Sequence, residues 1–121
     1  MSEATGLMGA WMDAALSSVA QELAARIRLV LPPGWRAVPV AEGSALLAAA
    51  AATELRELLD RGCDTRHSAP ALLTIDALVT YSCELLAVTG RDICVGSMDV
   101  LQSVIAAVPP IAPVAPAAST P

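Results

Sequence analysis

Apolar residues recur every three or four positions through most of this chain, a spacing that predicts helices. Met8, Met12, Leu16, Val19, Leu23, Ile27 and Val30 form the first such series, with Asp13, Ser17, Gln21 and Arg28 on the other side. One amphipathic helix is therefore expected from Thr5 to Leu31. Pro32, Pro33 and Gly34 end it, because proline cannot donate the next helical hydrogen bond and glycine tolerates the reversal. The following WRAVPV, Trp35 to Val40, alternates as an extended segment would, and Pro39 confines any strand there to a sheet edge.

Ser44 is placed to cap a second helix that runs to Arg61, where Gly62 closes it. Leu47, Ala51, Leu55, Leu58 and Leu59 mark its inward side, and Arg56 with Asp60 and Glu57 with Arg61 have the spacing of solvent-side pairs. Its alanine run reads as high helix propensity, or as a surface that lets another helix approach closely. After a polar connection, Cys63 to Pro70, Ser68 and Pro70 open a third helix, Ala71 to Thr89, with Leu72, Ile75, Val79, Cys83 and Leu86 sharing a face. Gly90 ends that helix, and RDICV leads to Ser97 as the cap of a fourth, whose inward stripe is Val100, Leu101, Val104, Ile105 and Val108. Pro109 and Pro110 stop it. The expected organisation is a single all-α domain over residues 1–108, with an Ala/Pro-rich, poorly ordered tail over residues 109–121.

A chain of 121 residues supports one core, and with 55% hydrophobic residues but only Trp11, Trp35 and Tyr81 as aromatics, that core is aliphatic. All seven basic residues are arginine and lysine is absent, a bias of the kind a GC-rich bacterial genome produces. The net charge of −5 is the wrong sign for neutralising phosphates, so nucleic acid is not an expected partner. The longest uncharged stretch, Val100 to Pro121, is broken by prolines, and no other approaches the roughly 20 apolar residues of a membrane span. With no secretory pattern at the amino terminus and an odd set of three cysteines, Cys63, Cys83 and Cys94, a cytoplasmic protein with reduced thiols is expected.

Reactive chemistry finds little support. Cys63, His67, Cys83 and Cys94 are the only thiolate and imidazole candidates for a metal, but they lack the two tight pairs of a structural zinc site. A Cys63 nucleophile activated by His67 would be local and exposed in a polar loop. Asp76, Glu84, Asp92 and Asp99 stand singly, as solvated helix faces have them. GRDICVG, Gly90 to Gly96, lacks the glycine spacing and the lysine of a phosphate loop. Trp11 reads as packing over its own helix or as an exposed anchor for a partner.

The segment TIDALVTYSCELLAVTGRDICVGSMDVLQSVI, Thr74 to Ile105, resembles half of a Clp amino-terminal domain, the helical repeat module of protein-unfolding ATPases. Thr74, Ala77, Ala87, Val95, Gly96, Ser97, Asp99 and Leu101 occupy comparable places, with Met98 and Asp99 where that family usually has glutamate and histidine. The resemblance implies an all-helical module that docks adaptors or substrates without catalysis. Gly90, Arg91, Ile93, Asp99 and Val100 also look like the end of a histone fold, with one residue too many.

The expectation drawn from these readings is a non-enzymatic interaction module: a small cytoplasmic adaptor or accessory protein, without cofactor or metal, that holds a partner helix or peptide in an apolar groove. A homodimer is compatible with it. The partner-binding residues are expected in the third and fourth helices and their link, at Tyr81, Arg91, Asp92 and Met98. The alternatives are an acidic neutraliser of the antitoxin or immunity type, and a structural component of a phage or secretion assembly.

Overall fold

The computed structural model describes residues 6–62, 66, 68–90 and 93–106. Among them are five α-helices and no sheet: α1 (Met8–Leu16), α2 (Gln21–Val30), α3 (Gly43–Arg61), α4 (Ser68–Val88) and α5 (Ile93–Ile105). The fold class is all-α, as the spacing predicts, but the first expected helix is two. Ser17 Oγ donates to the Ala14 carbonyl at 2.7 Å, and Val19 N–H turns back to Leu16 O at 3.1 Å, so the chain leaves the helix just where its apolar periodicity continues. The reversal is also written in charge. Asp13 and Arg28 are 15 residues apart and would be about 22 Å distant on one straight helix. Here they meet at 3.4 Å.

Asp13 also takes Arg36, which lies in a 3₁₀ turn over Trp35–Ala37. The hydrogen bond from Arg36, aided by the charges of Arg36 and Arg28, holds the Asp13 carboxyl below the usual carboxylate range. That turn, not an edge strand, is what WRAVPV forms. Gly34, at φ 83°, swings the chain round so that Trp35 is buried, and Arg36 lies 5.0 Å over the indole. The extended remainder makes a single antiparallel bridge between Leu7 and Pro39, through Met8 N–H to Val38 O and Val40 N–H to Gly6 O, both 2.8 Å. Pro39 occupies the member of the pair whose own N–H the ladder does not use, so its missing donor costs nothing.

A second 3₁₀ turn, Val40–Glu42, runs straight into α3, so Ser44 lies inside the helix and does not cap it. Its buried hydroxyl instead lies 3.0 Å from that of Ser82 on α4, and Ser82 Oγ is within 2.8 Å of the Ser44 carbonyl. Because the start of α3 meets the last third of α4, the two helices run antiparallel. Small residues are buried on α3: Gly43, Ala48, Ala50 and Ala51. A Cβ added at Gly43 would come within 2.3 Å of Met8 Sδ and 2.8 Å of Leu85 Cδ1, so α1, α3 and α4 converge on the absence of that one atom.

The other helices depart from expectation in register. Helix α4 begins at Ser68 itself, with Pro70 in its first turn, where no intrahelical donor is needed. Its buried face is Ala71, Thr74, Ile75, Leu78, Ser82, Leu85 and Leu86, while Leu72 and Cys83, expected inside, are exposed. Helix α5 begins at Ile93, so Ser97 is within it and not its cap. Val100 is buried against Ala48 and Leu86, and Val104 packs on the main core, whereas Leu101 and Ile105 face outward. The pairs Arg56–Asp60 and Glu57–Arg61 do not close among the described residues. Arg56 Nη2 reaches 3.5 Å to the Ala106 carbonyl, a cation at the carboxyl end of α5 that ties it to α3. Val108, Pro109, Pro110 and the expected tail lie outside the described residues.

Gly43→Ala is expected to destabilise the fold by about 1–3 kcal/mol, the usual cost of overfilling a packed site. Urea titration should show the cost shrinking when Met8→Ala is present in the same chain, because the added methyl then has room. An unchanged midpoint for Gly43→Ala alone contradicts the close approach.

A candidate protein-binding surface on the last two helices

Helix α5 is apolar on two sides. Its inner side is Val100 and Val104. At 100° per residue Met98, Leu101 and Ile105 fall within one 60° stripe on the outer side, and they are 54%, 50% and 63% exposed. A helix buried on one side normally shows polar residues on the other. Covering half-exposed side chains of this size would return about 1 kcal/mol each. Helix α4 continues the surface. On its wheel the ridge of Val79 and Leu86, against which α5 packs through Val100, adjoins a strip of Leu72, Cys83 and Asp76. Leu72 is 49% exposed and Cys83 and Asp76 are exposed. Asp76 on α4 and Asp99 on α5 are the exposed carboxylates of these two helices nearest to these residues in sequence.

The residues expected to bind a partner are only partly brought to this surface. Met98 lies on it. Tyr81 does not: it is half-buried on another side of α4, edge-on to Trp11 at 6.0 Å between ring centres, and joins α1 to α4. Burial, with the nearby Glu84 charge, pushes its phenol above the ordinary range. Trp11 is likewise half-buried and packs across to α4, beyond its own helix. Arg91 and Asp92 lie outside the described residues. The outward Leu101 and Ile105 were missed because their apolar character alone assigned them to the core.

Among the described residues, two hollows lie against the bundle. One, of about 280 Å³, lies between α2 and the start of α4 and is lined by Ala20, Glu22, Leu23, Arg26, Pro70 and Leu73. Arg26 is part of its wall and donates through Nε to Thr74 Oγ1 at 3.3 Å, while that hydroxyl donates to the Pro70 carbonyl at 2.9 Å. The other, of about 290 Å³, is lined by Val30, Pro32, Leu46, Ala49, Ala50 and Thr53. Both fall just below the usual volume of a small-molecule pocket. The hydroxyls of Ser17, Ser44, Thr53, Thr74, Ser82 and Thr89 bond to backbone carbonyls, to each other or to Arg26, none to a carboxylate that could act as a base. Among the described residues no three His, Cys, Asp or Glu side chains converge as metal ligands would. Cys63 and His67 lie outside the described residues, as does the side chain of Cys94.

Helix α4 is itself long and apolar enough to cross a membrane, with 21 residues and an 18-residue stretch of mean hydropathy 1.6. Counting only charge-free runs overlooks it, because Asp76 and Glu84 interrupt it. In this fold its Leu78, Ser82 and Leu85 are enclosed by the bundle, and those two carboxylates lie on the outer face.

Inside and outside positions should separate in urea melts. Leu86→Ala, which empties a site 1% exposed, is expected to cost about 2–5 kcal/mol. Leu101→Ala on the outer stripe should cost under about 0.5 kcal/mol. Equal losses would contradict the assignment of the stripe to solvent.

Comparison with protein-family models, with curated proteins and with solved structures returned no match, so the surface is read from its own chemistry.

Proposed function

We propose that this chain is a non-enzymatic protein-binding module, a small cytoplasmic adaptor or accessory protein whose partner lays a helix along the α4–α5 surface. One observation carries the reading: α5 has a second apolar face, Met98, Leu101 and Ile105, that the rest of the bundle does not cover. Its spacing of i, i+3 and i+7 is that of helix-to-helix docking. The likeness of Thr74 to Ile105 to half of a Clp amino-terminal domain points to the same class of role, docking without chemistry.

The test is comparative capture from a lysate of the source cells, with wild-type bait against Leu101→Asp bait of equal thermal stability. A protein retained by the wild type in about 1 M salt and lost by the variant is the expected result, since apolar contacts survive screening. A partner that leaves the wild type completely at that salt would favour the acidic neutraliser instead. Identical capture by both baits would remove the α5 face from the function.

A further inference from the structure

The hollow of about 290 Å³ between the end of α2 and α3 is lined by Val30, Pro32, Leu46, Ala49, Ala50 and Thr53, with no charged residue. Its one hydroxyl, Thr53 Oγ1, already donates to the Ala49 carbonyl at 3.1 Å. Such a lining suits an apolar occupant that brings few N–H groups, since a donor covered there would lack an acceptor. On the α3 wheel Leu46, Ala49, Thr53 and Arg56 fall within one arc of about 80°. Arg56, a turn beyond the hollow, reaches the Ala106 carbonyl at 3.5 Å. The chain therefore leaves α5 beside the same face of α3 that carries the hollow.

Fifteen residues follow Ala106, AVPPIAPVAPAASTP, and none is charged. Pro109, Pro110, Pro113 and Pro116 carry no N–H and bias the residues before them towards extended backbone. Such a sequence favours polyproline II, with three residues per turn. At that period Val108, Ile111, Val114 and Ala117 share one face. The segment thus combines an aliphatic stripe with a backbone poor in donors, which is what the hollow asks of an occupant.

We propose that residues 107–121 dock on their own chain, running back along the outer face of α3 in polyproline II form and seating Ile111, with Val114 beside it, in the hollow at Val30, Pro32 and Leu46. The lengths agree. From Arg56 back to Ala49 is about 10 Å along the helix, and from Ala106 to Ile111 is about 15 Å of polyproline II. The attachment also selects this occupant over a second copy or a separate partner. A tether this short holds the segment near the hollow at an effective concentration on the order of millimolar, so weak apolar contact is enough to fill it. The proposal is independent of the α4–α5 surface.

The test is methyl and backbone NMR on the full chain. Contacts are expected between the Ile111 δ1 methyl and the methyls of Val30 and Leu46, with order parameters at Ile111 and Val114 above about 0.6, the limit below which backbone is flexible. Ile111→Asp combined with Val114→Asp should remove the contacts and lower the order of the segment, while the shifts of the buried helices stay in place. Ala49→Arg, which fills the hollow from an exposed position, should do the same from the other side. Order parameters below about 0.6 throughout the segment, with no methyl contact to the hollow, overturn the proposal. Contacts that survive Ala49→Arg place the seat elsewhere and overturn it too. Contacts that arise between labelled and unlabelled chains in a mixed sample make the occupant a second copy, which contradicts docking within one chain.

Discussion

Three helices of the bundle come together where an atom is missing. Gly43 admits Met8 from α1 and Leu85 from α4 into space that a Cβ would fill. The alanines that follow it keep α3 thin along its buried side, and Ala48 receives Leu86 and Val100 together. A core with three aromatics in the whole chain has little bulk to fill wide gaps, so dense packing has to come from helices that lie close. The hydroxyls of Ser44 and Ser82 fit the same constraint, since each is small and each satisfies the other where neither meets water.

That closeness shapes the outer helix. Because α3 offers α5 a shallow surface of small residues, Val100 and Val104 suffice to seat it, and the larger side chains at Met98, Leu101 and Ile105 have no place inside. The bundle is complete without them. An exposed apolar stripe of this kind is the feature on which the proposed function rests. Fold and proposed function thus meet in α5, a helix with one face packed on the chain and one exposed.

Helical class was legible from spacing alone, as were the extents of α3 and α4 and the end of α2 to within a few residues. The break between α1 and α2 was not, because Leu16, Val19 and Leu23 keep helical spacing across it and only the local bonding of Ser17 and the pairing of Asp13 with Arg28 reveal the turn. The face of α4 was misread for a related reason. Apolar residues surround it, so Leu72 and Cys83 competed with Leu78 and Leu85 for the inside, and the polar Thr74 and Ser82 that are buried there carry no apolar signal. On α5 the rule that apolar means buried hid the feature of most interest. Of the residues expected to bind, Met98 is exposed, whereas Tyr81 is half-buried and packs against Trp11.

The division between an enclosed core and an open α5 stripe can be read directly from methionine oxidation. Met8 and Met12 are fully buried, whereas Met98 is 54% exposed. With dilute peroxide and peptide mass spectrometry, the native chain should form sulfoxide at Met98 promptly and at Met8 and Met12 only when unfolded. Protection of Met98 equal to that of Met8 and Met12 in the isolated native chain would contradict the account, because the stripe would then be covered by the chain's own fold or by another copy.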